Sequence, residues 1–205
     1  MAEKTKVEFW FDPTCPWTWV TAKWMKEVEK VRDIEIKWNP FSLYFLNEGR
    51  DLPEGYRKHI DQTIGVPRVV LAVRELAGQD KVEEFYFVLG KEIHDQGNNG
   101  NAFHDALVAA LEKVGLPADY VEFEELEDYD DALKASTQAG LDKVGDEVGV
   151  PIVSLNDTAF FGPVITPAPK GEEAGKVFDG AVALASYPGF YELKRSRTGV
   201  KPDFS

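Results

Sequence analysis

The chain has 205 residues, 43% of them hydrophobic and 29% charged, which supplies a substantial core and argues against extended disorder. Its formal net charge of -13 repels phosphate backbones and anionic membranes, so neither nucleic acid nor membrane is an expected partner. The single cysteine excludes an internal disulfide and a cysteine-rich zinc site, and no apolar run reaches the roughly 20 residues of a membrane helix.

Met1-Ala2-Glu3-Lys4-Thr5-Lys6 leads directly into a strand without a signal-peptide core, which makes the cytoplasm the expected compartment. Val7, Phe9 and Phe11 then alternate with Glu8, Trp10 and Asp12 as a strand, and Pro13 ends the pairing. A helix follows, with Thr14 as its expected cap and Pro16 in its first turn, where a missing N–H costs nothing. Trp17, Val20, Trp24, Val28 and Val31 give that helix one apolar stripe. Ile34, Ile36 and Trp38 form a second strand, so the start reads as strand, helix, strand with a parallel pair.

From about Tyr56 to Val144 the apolar spacing is helical. Val69, Val73 and Leu76 form one stripe, stopped at Gly78. Val82, Phe85, Leu89 and Ile93 form another, stopped near Gly97, and a third runs from Phe103 to Val114 before Gly115. A further helix is expected over 129–139. Between these last two, Glu122–Asp131 carries seven carboxylates in ten residues and reads as a solvated helix face rather than a docking patch. Strands return at 151–155 and 158–161 around the turn Asn156-Asp157. A helix over 171–185 and a last short helix after Pro188 complete the chain. The order implies a discontinuous α/β domain, residues 1–55 and 145–205, holding a small mixed sheet, with 56–144 as an inserted helical domain.

Cys15 stands between the first strand and its helix. A lone cysteine in an interior is often a small hydrophobe. At a helix N-terminus, however, free N–H groups and the macrodipole favour a thiolate, which is the nucleophilic form. Thr18, one turn on, is placed either to donate its hydroxyl to that thiolate or to bond the backbone. Pro13, Pro16 and Trp17 surround the thiol as candidate substrate contacts, with Trp17 walling the pocket. Pro151 either starts a strand on plain steric grounds or follows a cis Val150–Pro151 bond that turns the Val150 backbone toward Cys15. His94 is placed either to satisfy carbonyls at a helix end or to face the thiol across a cleft. His59, His94 and His104 lack metal-ligand spacing, and no phosphate-binding glycine fingerprint is present, so no metal and no tightly bound cofactor is expected.

With Cys15-Pro16-Trp17 after a strand, Val150-Pro151 later and a helical stretch between, the chain resembles the thioredoxin superfamily, and within it the DsbA family. Further stretches resemble the actinobacterial mycothiol-dependent nitroreductases. They are Phe9-Trp10-Phe11-Asp12-Pro13, Ile93-His94 with Gln96-Gly97-Asn98, Ala159-Phe160-Phe161-Gly162-Pro163, Gly171–Lys176, and Ala185-Ser186-Tyr187-Pro188 with Glu192–Arg195. The resemblance implies a thioredoxin fold with an inserted helical domain and a cytoplasmic oxidoreductase. Cys15 would be its nucleophile, Val150-Pro151 a cis-proline loop, His94 a pocket residue and mycothiol the cosubstrate. Relatives of this kind reduce disulfide, peroxide or nitroaromatic substrates.

The departure is Thr18, where those relatives carry a resolving cysteine: the motif here is Cys15-Pro16-Trp17-Thr18, and a two-thiol cycle within one chain is impossible. An outside thiol must then release any Cys15 adduct. Two other functions fit the same residues. One is a thiol transferase or isomerase resembling the kappa-class glutathione transferases, and the other is a peptide-binding module on a thioredoxin scaffold without catalysis.

Overall fold

The computed structural model describes residues 4–205, so Met1–Glu3 and the leader reading made on them lie outside the described residues. Four strands form one sheet in the order β2-β1-β3-β4, built from β1 (Thr5–Phe11), β2 (Ile34–Pro40), β3 (Ile152–Leu155) and β4 (Thr158–Phe161). β1 and β2 run parallel, joined through α1 (Pro16–Glu29), and Phe9 pairs with Trp38. β3 lies antiparallel to β1, with Phe9 opposite Val153, and β4 returns antiparallel to β3. Asn156 and Asp157 both adopt positive φ, +46° and +74°, the mirror-image turn whose twist suits a two-residue hairpin. This is an α/β thioredoxin fold with a helical insertion.

Both faces of β1 are covered. Val7, Phe9 and Phe11 enter the large core with Trp24, Trp38 and Phe85. Trp10, on the other face, joins a smaller cluster with Phe41, Leu141, Val150 and Ile152. The helix over it is α7 (Asp130–Val144), longer than the sequence stripe predicts. Its Gly140 sits so close that an added Cβ would lie 3.1 Å from the Trp10 ring, and the Trp10 indole N–H donates to the Ser136 carbonyl at 3.1 Å.

Between β2 and β3 run α2 (Leu43–Leu46), α3 (Glu54–Thr63), α4 (Gly65–Ala77), α5 (Gln79–Gly90), α6 (His104–Val114) and α7. α4 is central to them, buried from Val66 to Val73 on nearly every side rather than along one stripe. Leu76 departs from the stripe it was expected to join: at 46% exposure it falls on the open last turn. α5 stops at Gly90, and the chain passes into a π-helical turn, Lys91–Asp95, instead of continuing to Gly97. The extra residue in such a turn redirects the side chains after it, His94 among them.

Three further expectations are corrected. Thr14 does not cap α1. Cys15 holds the cap position, and the Thr14 hydroxyl is drawn to the buried Asp12 carboxylate at 2.7 Å. The acidic stretch is not one solvated helix face: Ala118–Glu124 is a 3-10 turn, and Asp130 is buried against Arg68. No helix follows Pro188, because α8 (Gly171–Ala185) ends the regular structure and the later residues lack an apolar period to bury.

Candidate active site at Cys15

Cys15 sits where β1 ends and α1 begins, on a loop held by backbone bonds. Its N–H donates to the Asp12 carbonyl at 3.1 Å, and its own carbonyl takes the Trp19 N–H at 3.1 Å. Cys15 is partly exposed and packs on the smaller cluster beside Leu43, Val144 and Ala159. The sulfur lies 3.9 Å from the Val150 carbonyl oxygen, which accepts the thiol hydrogen. The Val150–Pro151 peptide bond is cis, and both residues are buried.

Burial pushes the Cys15 thiol up from its ordinary range; the Thr18 hydroxyl and N–H pull it down, the Asp12 carboxylate pushes it up and the Trp17 N–H pulls it down. Burial wins. The N–H groups of Trp17 and Thr18 at the helix start favour the thiolate, and burial outweighs them. Desolvation of a charge outweighs a few hydrogen bonds when the site is apolar on most sides.

The Thr18 hydroxyl is fully buried and has no hydrogen-bond partner among the described residues. A thiol sulfur is a weak acceptor and a thiolate a strong one.

Asp12 reads in the sequence as the polar half of a strand, yet its carboxylate organises the thiol loop. Its buried carboxylate accepts the Thr14 N–H at 2.9 Å and the Leu43 N–H at 2.8 Å in addition to the Thr14 hydroxyl. Burial pushes its pKa up, and those hydrogen bonds pull it down. The available signal was its place: an Asp two residues before a threonine and directly before Pro13 reads as a side-chain-capped turn.

Pro13 is buried, and its carbonyl accepts the His94 Nε2–H at 2.9 Å. His94 therefore approaches the thiol loop through its backbone. Burial holds the imidazole down, to about 4, against the Pro13 bond and Asp95. Pro16 opens α1, and Trp17 stands partly exposed after it with the Arg197 guanidinium 4.7 Å over its ring. Tyr56 of α3 and Tyr86 of α5 are within electrostatic reach: burial first, then Cys15 and Asp12, push both phenols up. Tyr56 and Tyr86 thus join His94 as residues between β2 and β3 that lie within reach of the thiol loop.

Among the described residues no group of three or more His, Cys, Asp or Glu side chains could hold a metal ion, and no helix is long and apolar enough to cross a membrane.

Comparison with known proteins places this geometry in a family. The protein Rv2286c of Mycobacterium tuberculosis (strain ATCC 25618 / H37Rv) is 28% identical over 198 residues, covering 95% of this chain and 83% of that protein. The solved structure of the probable DsbA oxidoreductase SCO1869 from Streptomyces coelicolor matches with a TM-score of 0.62 at 18% identity, over 94% of each chain. That of 2-hydroxychromene-2-carboxylate isomerase matches with a TM-score of 0.59 at 13% identity, over 87% of this chain and 94% of that one. These two likenesses are of fold. The model of the Rv2466c-like family, described as mycothiol-dependent nitroreductase Rv2466c, matches residues 14–195, and the chain belongs to that family.

Proposed function

We propose that this protein is a cytoplasmic single-thiol oxidoreductase in which Cys15 exchanges with a low-molecular-weight thiol, mycothiol, drawn from outside the chain. The observation that carries the reading is the Thr18 hydroxyl: a buried donor without a partner, beside a cysteine, where an activated thiolate would satisfy it. The family description supports mycothiol as the thiol.

The cycle needs no second protein thiol. Cys15 loses its proton to solvent, and the thiolate is held by the Thr18 hydroxyl and the N–H groups of Trp17 and Thr18. It attacks one sulfur of a disulfide: a Cys15–S bond forms, the substrate S–S bond breaks, and the departing thiolate takes a proton from water. A second thiolate from solution then attacks the adduct sulfur, forming a new small disulfide and restoring Cys15. The net change is one thiol–disulfide exchange: one external thiol enters the product disulfide and one thiol leaves the substrate. Trp17 walls the entrance, and the Val150 carbonyl beside Pro151 offers an acceptor to the incoming molecule. Pro13 and Pro16 fix the loop and the first turn between them.

The test is intact mass after exposure to mycothiol disulfide at pH 8. One mycothiol adduct on Cys15 that a further equivalent of free thiol removes is the expected result. An unmodified protein under those conditions, with Cys15 still alkylated by iodoacetamide, overturns the reading.

The same unpartnered hydroxyl favours one alternative. Thr18 would then stabilise the thiolate of a bound cosubstrate, as in a transferase or isomerase, with no bond to Cys15. Under that scheme Cys15→Ser retains conjugation of the thiol to an electrophile; under the exchange scheme it loses all turnover. A third possibility, peptide binding at the Val150-Pro151 edge, would persist after Cys15 is alkylated.

A further inference from the structure

Residues 188–205 form no helix or strand, and most of them lie in solvent; Tyr191 and Leu193 are 84% and 81% exposed. Phe204 is different. It packs against the large core, and three contacts fix it there. The Lys23 ammonium donates to the Phe204 carbonyl at 2.6 Å. The N–H of the preceding Asp203 donates to Thr166 Oγ1 at 2.7 Å. The Phe204 ring lies against the imidazole of His94, their centroids 5.6 Å apart.

That imidazole is held on its other contacts too. It stacks on Trp19 with centroids 5.9 Å apart and planes 25° from parallel. The Trp19 indole N–H donates to Asp95 at 2.9 Å, and Asp95 also pairs with Lys23 at 2.8 Å. An added Cβ on Gly90 would lie 2.4 Å from the Trp19 ring, so α5 leaves that ring no room to move. His94 is thus boxed by Trp19 and Phe204, and its Nε2–H reaches the carbonyl two residues before Cys15.

We propose that Phe204 is a positioning residue for Cys15: its ring packs on His94 and, through the His94–Pro13 hydrogen bond, fixes the loop that carries the thiol. The proposal rests on Cys15 being the reactive group. Phe204 lies outside residues 14–195, over which the family model matches.

The charged groups facing His94 are Asp95 on its own turn and Lys23 from α1. In the closing segment Asp203 stands near Lys170 and Lys23. Removing the Phe204 ring admits water to the imidazole and weakens its hold on Pro13. The loop then loosens, and Cys15, which burial pushes up, moves back toward the ordinary thiol range.

The experiment uses the full chain with Phe204→Ala, Phe204→Leu and, in the same segment, Leu193→Ala. Two quantities are read: the NMR titration midpoint of His94 and the rate of Cys15 alkylation by iodoacetamide at pH 7. For Phe204→Ala the His94 midpoint rises from about 4 toward the ordinary imidazole range, and alkylation speeds up by about threefold or more as the thiolate fraction grows. Phe204→Leu, which keeps an apolar contact, lies between that variant and the parent, and Leu193→Ala matches the parent. An unchanged His94 midpoint and alkylation rate in folded Phe204→Ala, or equal changes in Leu193→Ala, overturn the proposal. Neither readout needs a disulfide substrate. Failure to form a mycothiol adduct would therefore strike the oxidoreductase reading and leave the role of Phe204 standing.

Discussion

Asp12 and Leu43 are joined across the mouth of the site: the Asp12 Oδ2 atom accepts the Leu43 N–H at 2.8 Å while Oδ1 holds Thr14. One buried carboxylate thereby ties the thiol loop to the turn that follows β2. The same charge stands close enough to raise both the Cys15 thiol and the Tyr56 phenol. It stabilises the loop and restrains the nucleophile.

Asp12→Asn separates those two effects. An amide offers one acceptor oxygen, so if it stays with Thr14 its NH2 group faces the Leu43 N–H and that bond is lost. The expected cost is about 1–3 kcal/mol in urea unfolding. The Cys15 midpoint falls at the same time, and alkylation at neutral pH becomes faster. A less stable protein with a slower thiol would contradict the electrostatic part of this account.

Thr18→Val removes a hydroxyl that has no partner among the described residues. Stability is therefore unchanged or raised, since an unsatisfied buried donor is replaced by a methyl group of the same shape. The thiolate loses one of its donors, so the Cys15 midpoint moves further up. Alkylation at a fixed pH slows by about threefold to tenfold, one pKa unit being a factor of ten in thiolate. Titration by iodoacetamide across pH 7–10 reads this directly. Loss of stability with no change in the midpoint would show that Thr18 serves packing alone.

The strand pattern at Val7, Phe9 and Phe11, the helix after Pro16 and the hairpin at Asn156-Asp157 were legible because each rests on local periodicity or turn chemistry. The crossover gave the parallel pair for the same reason. What was not legible depends on distant partners. Leu76 looked like core until α4 proved to be surrounded along its middle and open at its end. The π-helical turn at Lys91–Asp95 leaves no mark in apolar spacing, yet it governs where His94 points. The placement of Cys15 at a helix start was readable, whereas the sign of its pKa shift was not. That sign depends on burial against the apolar cluster on which Cys15 packs. Asp12 escaped notice because a buried acid looks, in sequence, like the polar half of an alternating strand.

Arg68 and Asp130 make a bidentate pair at 2.8 and 2.7 Å, each side chain only 13% exposed. The pair links α4 to the start of α7, the helix that covers Trp10. Asp130→Asn leaves the guanidinium short of its main counter-charge, with Glu127 as the other carboxylate at 3.6 Å. The expected loss is about 2–3 kcal/mol, below the full cost of a deeply buried pair because Glu127 and solvent compensate in part. Replacing both partners by apolar residues, Arg68→Met with Asp130→Leu, costs less than Asp130→Asn alone. Equal or additive losses in urea unfolding would refute that ordering.

The imidazole of His94 makes stability depend on pH in a defined window. Burial, above all, holds it at about 4 in the folded protein, and an unfolded histidine titrates near about 6.5. Between these values the unfolded chain binds a proton that the folded chain refuses, so stability rises with pH across the window. The contribution is fully present above about pH 6.5 and is lost as pH falls toward 4. A shift of this size corresponds to about 3 kcal/mol. The carboxylates of this acidic chain also respond to pH, so the histidine is isolated by difference. His94→Gln keeps an N–H donor for the Pro13 carbonyl and does not titrate. Parent minus variant, followed by urea unfolding from pH 7.5 to 4, should decline steadily through pH 6 and 5. A difference that stays flat over that range would mean that the imidazole is hydrated in solution and that the Phe204–Trp19 box around it is open.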